Sequence, residues 1–187
     1  MASYGRWAAR LRVPLHFLLA AVVLLFARPV PELLGAGAIL VAAGVAVRAW
    51  AAGHLRREGA VTVTGPYAHL RHPLYLGTAF ILAGFAVAAG RAGLAALVGF
   101  YFVALFVPVM RREERERRAA ASELYSAYAS RVPAFLPRLR PAIFNEQKEM
   151  AHARFDARLY LHNREWRSVL GCAALLAVLY GKMIWAG

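Results

Sequence analysis

The amino-acid sequence predicts an all-α fold, a polytopic membrane helical bundle with about five transmembrane helices. The chain has 187 residues, of which 60% are hydrophobic, and its mean hydropathy is +0.48. Five stretches of 14 to 19 residues contain no Asp, Glu, Lys or Arg. These features are typical of helices that lie in a bilayer. The single cysteine, Cys172, excludes a disulfide-framed secreted domain.

The charge-free stretches differ in length. They cover residues 13–27, 33–47, 73–90, 92–110 and 168–181. A helix needs about 20 apolar residues to cross a bilayer, so the third and fourth stretches are long enough to span it. The first, second and fifth are short, and we expect flanking arginine or lysine side chains to extend to the interface. Buried or re-entrant helices are the alternative for these three.

Basic residues are distributed unevenly between the two ends of the predicted helices. They exceed acidic residues by three in 1–12, by three in 48–71 and by five in 111–167. The segments facing the other side have a total excess of only two. Because basic loops stay in the cytoplasm, the sequence predicts a cytoplasmic N-terminus and a C-terminus outside. Topology then explains the net charge of +13, and we expect no nucleic-acid partner.

A first polar cluster, residues 65–77, directly precedes and begins the third stretch. Its sequence is Gly-Pro-Tyr-Ala-His-Leu-Arg-His-Pro-Leu-Tyr-Leu-Gly. The Gly-Pro pair predicts a turn, and Pro73 suits the first turn of a helix. His72 therefore lies at a helix N-terminus, where free backbone N–H groups favour an anion. The alternative is an interfacial belt in which Arg71, His72 and Tyr75 only anchor the helix end.

A second polar cluster, residues 111–118, follows the fourth stretch. Its sequence is Arg-Arg-Glu-Glu-Arg-Glu-Arg-Arg, and its i,i+4 ion pairs are explained by a solvated helix without any active site. Apolar residues at three- and four-residue spacing then predict an amphipathic helix that contains Tyr125 and Tyr128.

Both polar clusters fall at the same predicted membrane face. If the third and fourth stretches form a hairpin, Arg71 and His72 would stand beside Glu113 and Glu114 in one cavity. A pocket with both signs of charge suits a zwitterionic ligand, and nearby tyrosine rings could face a cationic centre.

The segment 65–77 resembles the G-P-Y-x-x-x-R-H-P-x-Y-x-G signature of the isoprenylcysteine carboxyl methyltransferase and phospholipid methyltransferase superfamily. Glu113-Glu114 is similar to the paired-glutamate motif of that superfamily, and residues 125–137 are similar to the segment that follows it. The resemblance covers about residues 60–140. It implies an integral membrane methyltransferase that uses S-adenosylmethionine, yields S-adenosylhomocysteine, and holds this cofactor in a cytosolic pocket formed by loop and helix segments.

The resemblance also implies roles for individual residues. Those implied to be catalytic are Glu113, Glu114 and His72. Those implied to bind the cofactor are Tyr67, Arg71, His72, Tyr75, Gly77, Glu114, Tyr125 and Tyr128. No metal is implied. The methyl acceptor would be a lipid-like or prenylated molecule that enters from the bilayer, with membrane lipids as the other partners. Positioning and exclusion of water would be the main tasks of the protein.

The resemblance divides one membrane domain, 1–187, into three parts. Residues 1–50 form an N-terminal helical hairpin, and 60–140 form the core that binds the cofactor. Residues 141–187 contain an amphipathic helical stretch, 146–167, and the last membrane helix. The role of this C-terminal part stays open. So does the role of His69, and Arg117 stands where many members of the superfamily have leucine.

The implied reaction has several alternatives. The leading prediction is carboxyl O-methylation of the isoprenylcysteine type, and N-methylation of phosphatidylethanolamine is the second. A carboxylate acceptor needs no general base, whereas an amine must lose a proton, which Glu113, Glu114 or His72 could take. Less favoured are a sterol-reductase-like membrane oxidoreductase and a non-catalytic membrane protein that binds lipid.

Overall fold

The computed structural model describes residues 2–56, 61–120, 122–144 and 154–186. Within these ranges the regular structure is entirely helical, so the all-α prediction is confirmed. The helices are α1 (Ala2–Phe26), α2 (Pro31–Ala52), a short 3-10 helix (Gly65–Ala68), α3 (Pro73–Ala88), α4 (Ala92–Ala120), α5 (Ser122–Arg131), α6 (Ala157–His162) and α7 (Trp166–Ala186).

Three of the described helices are long and apolar enough to cross a membrane, namely α2, α4 and α7. The apolar part of α1, Pro14–Phe26, and the whole of α3 are shorter. The protein is therefore a helical membrane protein, but the prediction of five spans is not supported. The charge-free stretches 33–47 and 168–181 are too short for a membrane span because Arg48 and Lys182 end them. Both helices in fact continue past their charge, Arg48 in α2 and Lys182 in α7.

Helix α3 is shorter than the charge-free stretch 73–90, which predicts a membrane-spanning helix. It begins at Pro73, and its backbone turns away after Ala89, where Gly90 adopts a φ of +65°. Sixteen residues rise about 24 Å, less than the roughly 30 Å of a bilayer core. Nine of the sixteen are buried, so α3 is an interior helix surrounded by its longer neighbours.

Helices α2 and α3 pack closely through two pairs of glycines. A Cβ atom on Gly44 would lie 2.6 Å from the carbonyl oxygen of Gly77, and one on Gly77 would lie 2.7 Å from that of Gly44. Gly37 and Gly84 face each other in the same way. Such close approach of two backbones allows dispersion contacts without any large side chain, which is how helices associate in lipid.

The helices alternate in direction, so the bundle has two distinct ends. We call one the polar end, where α2 finishes, α3 begins and α7 begins. We call the other the turn end, where α1 and α3 finish and α2 and α4 begin. At the turn end, Arg28 N donates to Ala89 O at 2.8 Å, which joins the two turns. The main apolar core between the two ends contains residues from α1, α2, α3, α4 and α7.

Helix α4 passes without a break from the apolar bundle into the charged segment. Its 29 residues rise about 43 Å, so its last turns project beyond the membrane part. The predicted solvated helix over 111–118 is thus the continuation of the fourth membrane helix. Tyr101, Leu105 and Val109 are buried on its inner side, whereas Arg115 and Arg118 are exposed.

The C-terminal part folds back onto the polar end. Asp156 caps the short helix α6 by accepting from Arg158 N at 2.8 Å, and Asn163 Nδ2 donates to Ala52 O and Leu55 O. The prediction of one helix over 146–167 is wrong in its described portion, because a turn at 163–165 separates α6 from α7 and Arg164 has a φ of +57°. The portion 146–153 lies outside the described residues.

Helix α2 offers a matched test of the close packing. Gly44→Ala places a methyl group against α3 and should lower the free energy of unfolding by about 1–3 kcal/mol. Gly35→Ala, on the same helix, meets nothing within 4 Å and should be neutral or raise it by about 0.5–1 kcal/mol, as expected for helical alanine. Thermal unfolding in detergent measures both, and equal melting temperatures for the two variants would refute the packing role of Gly44.

Candidate functional site

The polar end is built by two chain segments that pair through their backbones. Arg71 N donates to Pro133 O at 2.9 Å, and His72 N donates to Ala134 O at 3.2 Å. In the other direction, Arg138 N donates to His69 O at 3.0 Å. The residues just before α3 are therefore held by the proline-rich segment that follows α5, which fixes where Arg71 and His72 lie.

Buried tyrosines also hold these two segments together. The hydroxyl of Tyr128 donates to the carbonyl oxygen of Tyr67 at 2.8 Å. Tyr125 and Tyr128 pack with Val63, Val132 and Ala142 in a second, smaller apolar cluster. Burial raises the pKa of both Tyr67 and Tyr128 well above the usual range, so each hydroxyl keeps its proton and Tyr128 remains a donor.

Glu114 is the centre of the site. Its Oε1 atom lies 3.1 Å from Arg71 Nη2 and 3.2 Å from His72 Nε2. The structure thus brings Arg71 and His72 together with Glu114, which follows His72 by 42 residues. We call Arg71, His72, Tyr75, Glu113 and Glu114 the polar cluster. A carboxylate can only accept, so Nε2 of His72 carries the proton in this hydrogen bond.

Glu113 has a different partner. The hydroxyl of Tyr75 donates to Glu113 Oε1 at 2.6 Å, and the ring of Tyr75 contacts those of His72 and Phe106 at centroid distances of 5.6 and 5.7 Å. Glu114 therefore holds the two residues before α3, Glu113 holds the first turn of α3, and neither carboxylate is free of contacts.

Arg71 is incompletely satisfied. Its Nε and Nη1 atoms are buried and have no acceptor within hydrogen-bond geometry among the described residues, and its guanidinium lies close enough to Tyr125 to oppose in part the burial that raises the pKa of that hydroxyl. A buried N–H group without an acceptor costs about 1–3 kcal/mol, and more when it is charged. The proton of Nε and those of Nη1 are thus the unsatisfied hydrogen-bonding capacity that the polar cluster presents to a ligand or an ordered water.

His72 is buried, with 5% of its surface exposed. Burial lowers the pKa of His72, and the hydrogen bond to Glu114 and the charge of Glu113 only partly oppose this. The imidazole is therefore neutral at pH 7. With Arg71 and the exposed Arg117 as cations against two carboxylates, the region carries no net charge, which suits a ligand that is itself neutral or zwitterionic.

The remaining predicted site residues make contacts that the fold itself explains. Gly77 faces Arg48 and Gly44 of α2, so its small size is explained by helix packing. His69 Nδ1 lies 2.8 Å from Arg138 O, within the paired segments. Arg117 projects from the exposed side of α4, where leucine is not required for packing. The ligand-binding roles of Gly77, Tyr67, Tyr125 and Tyr128 stay predictions.

A half-buried ion pair between Arg48 and Glu165 lies beside the site. Arg48 Nη2 lies 2.8 Å from Glu165 Oε1, its Nη1 donates to Thr78 Oγ1 at 2.6 Å, and Glu165 also accepts from Ser168. These bonds join α2, α3 and the beginning of α7. The sequence gives no signal for a pair separated by 117 residues, except that an arginine in an apolar helix needs a partner.

Two cavities lie away from the polar cluster, and the described residues contain no group of side chains that could bind a metal ion. The two most prominent cavities, of about 910 and 520 Å³, open at the turn end, far along the helices from the polar cluster. The polar cluster is the candidate chemical site, because the half-buried side chains of Arg71 and Glu114 converge there on the buried imidazole of His72. In ranges 2–56, 61–120, 122–144 and 154–186, no group of three His, Cys, Asp or Glu residues could hold a metal ion.

The fold and the polar cluster define a helical membrane protein with a site of mixed charge at one membrane edge. The chain is similar to the cobalt-zinc-cadmium resistance protein CzcN of Cupriavidus metallidurans, with 32% identity over 111 residues, 58% of this chain and 51% of the relative. It is also similar to the nickel-cobalt-cadmium resistance protein NccN of Alcaligenes xylosoxydans xylosoxydans, with 32% identity over 109 residues, 57% of this chain and 51% of that protein. The chain spans about half the length of these curated relatives.

No protein-family model matches the chain, and no solved structure matches it. The implied membership of the methyltransferase superfamily is wrong, and so are both predicted methyl-transfer reactions, because the relatives are named for resistance to metals. The structure shows what else the motif residues do. Gly65, with a φ of +56°, makes a turn, Pro73 begins α3, and Gly77 admits α2.

The buried imidazole of His72 predicts a dependence of stability on pH. Its pKa is lowered in the folded protein, so the unfolded chain binds more protons as the pH falls below about 6.5. The stabilisation is complete above that pH and is lost as the pH falls towards the lower, folded pKa. In detergent, the wild-type melting temperature should fall from pH 7.5 to 5.5 by more than that of His72→Gln. A drop of the same size in both proteins would contradict this assignment.

Proposed function

We propose that this chain is an integral membrane protein that contributes to resistance against divalent transition-metal ions. The observation that carries the proposal is its similarity to two curated proteins named for resistance to cobalt, zinc, cadmium or nickel. The all-helical fold, with three helices long enough to span a membrane, supports a site of action in the membrane.

The polar cluster is the part of the molecule through which we propose it acts. It lies where the apolar bundle ends, Glu114 Oε1 lies 3.1 Å from Arg71 Nη2 and 3.2 Å from His72 Nε2, and Nε and Nη1 of Arg71 have no hydrogen-bond acceptor among the described residues. Such an arrangement is costly for stability alone, since a buried ion pair is often matched or exceeded by apolar packing. A role in binding gives a reason for keeping these charges.

The ligand of the polar cluster follows from its charges. The carboxylates of Glu113 and Glu114 would accept hydrogen bonds from an ammonium group on one side, and the guanidinium of Arg71 would donate to a carboxylate on the other. S-adenosylmethionine carries both groups in its amino-acid part, so its binding stays a prediction, distinct from any transfer of its methyl group. A lipid-like partner also stays a prediction. Calorimetry with S-adenosylhomocysteine on the protein in detergent measures the first directly.

The finer topology is also part of the proposal. We place the polar end in the cytoplasm, because the basic excess of the chain is found in the segments at that end. Helices α1 and α3 then lie in the membrane with the three longer helices, α3 in the interior of the bundle and α1 with Phe17 and Leu25 exposed towards the acyl chains. In a Cys172→Ala background, a membrane-impermeant thiol reagent added to intact cells should label Ala92→Cys and leave Ser126→Cys unlabelled. The reverse pattern would contradict this orientation.

Metal tolerance tests the function itself. A strain sensitive to Co²⁺, Zn²⁺, Cd²⁺ and Ni²⁺ should grow at higher concentrations of at least one of these ions when it expresses the full chain. Glu114→Gln should abolish this gain, because it removes the negative charge that Arg71 and His72 share. Glu116→Gln, the same change on the same helix, should retain the gain, since Glu116 is exposed and pairs only with Arg112 at the surface.

Loss of folding must be separated from loss of function. Glu114→Gln leaves Arg71 with less compensation and should lower the free energy of unfolding by about 1–3 kcal/mol, so the amount of folded protein in the membrane is measured for each variant. Tyr75→Phe removes only the hydroxyl that contacts Glu113 and provides a milder second variant. If the wild-type chain, present in the membrane, gives no tolerance to any of the four ions, the proposal fails.

A further inference from the structure

The turn end of the bundle contains a cleft that the polar cluster does not explain. It encloses about 910 Å³ where α1 and α7 finish and α2 begins. Its lining combines backbone turns with basic and apolar side chains: Leu25, Phe26, Ala27, Arg28, Pro29, Val30, Pro31, Arg91, Lys182, Met183 and Ile184.

Three cations line this cleft, and no acidic residue does. Lys182 Nζ donates to Leu24 O at 2.8 Å and to Leu25 O at 2.7 Å, and Arg91 Nη1 donates to Phe26 O at 3.3 Å. These acceptors are neutral carbonyl groups at the end of α1, so they hold the two cations in place without cancelling their charge. Glu32 directly follows the lining residue Pro31 in the first turn of α2, so these two cations together with Arg28 give the turn end a net charge of about +2 at neutral pH.

A second, adjoining cavity extends the positive region. It encloses about 520 Å³, shares Phe26 and Arg91 with the cleft, and is lined by Ala92, Gly93 and Leu94 in the first turn of α4. Backbone N–H groups at the beginning of a helix add partial positive charge. Gly93 leaves this face open, since a Cβ atom there would meet nothing within 4 Å.

Apolar side chains border the same cations. Leu25, Phe26 and Ile184 are 72%, 56% and 57% exposed in the isolated chain. In a membrane these side chains meet acyl chains, because they belong to the ends of bilayer helices. A small soluble anion would not contact these apolar side chains. A molecule with an anionic head and apolar tails would contact both the cations and the apolar side chains of the cleft.

We propose that this cleft binds the phosphodiester headgroup of an anionic phospholipid, with the acyl chains along Leu25, Phe26 and Ile184. Arg28, Arg91 and Lys182 surround the phosphate, and guanidinium groups offer it paired N–H donors. The polar cluster at the other end is unsuited to this ligand, because Glu113 and Glu114 offset its cations. The lipid site thus distinguishes the two ends of the bundle.

Native mass spectrometry of the full chain in detergent tests the proposal, with phosphatidylglycerol, phosphatidylcholine and inorganic phosphate as probes. The wild-type protein should retain phosphatidylglycerol in preference to phosphatidylcholine. Arg28→Gln/Arg91→Gln should weaken the apparent affinity for phosphatidylglycerol by roughly 30-fold, as expected for two basic residues at a membrane surface. Arg115→Gln/Arg118→Gln removes the same charge from the exposed part of α4 and should leave the affinity unchanged.

Arg28→Gln alone is the milder variant, because Arg28 contributes an exposed side chain to the cleft, and it should weaken binding by about fivefold. Equal retention of both lipids by the wild-type protein would overturn the proposal. So would equal losses in the two double variants, which would make the effect one of total charge. Inorganic phosphate that displaces phosphatidylglycerol at equal concentration would show an anion site without a lipid.

Discussion

The close contact between α2 and α3 is the constraint on which the other features depend. Where Gly44 and Gly77 meet, the two backbones leave no room for even a methyl group. This contact places Arg48 of α2 against Thr78 of α3, and it fixes the beginning of α3. Because His72 and Tyr75 are at that beginning, the positions of the groups that reach Glu114 and Glu113 follow from the packing of two helices elsewhere in the bundle.

Charge inside the bundle is tolerated because each charged group has a specific role. Arg48 is neutralised by Glu165 and hydrogen-bonded to α3. Lys182 occupies the carbonyl groups at the end of α1, a placement that also suits the negative end of a helix dipole. A prediction that ends these helices at Arg48 and Lys182 therefore makes α2 and α7 too short. The partner of each cation is more than a hundred residues away, so no local pattern announces it.

Composition and periodicity were sufficient for the helical membrane class, and the sequence marks the beginning of α3 with Pro73 and its end with Gly90. Function was harder to predict. Gly65, Pro73 and Gly77 serve a turn, a helix beginning and a helix contact, so a match at these positions reports architecture, and one architecture supports many functions. The unpaired N–H groups of Arg71 could not be found in the sequence, since they depend on which acceptors lie within reach.

The uninterrupted course of α4 has a mechanical consequence. Between its first residue at the turn end and Glu114, α4 is one continuous helix that contains Pro108, so the height of the glutamates above the hydrocarbon region is set by helical rise and by the local geometry at Pro108. A bilayer that is thicker or thinner by about 3 Å shifts the interface by about two residues along α4. Lipid composition can thereby alter the depth at which Glu113 and Glu114 meet water, and α4 acts as a gauge of membrane thickness.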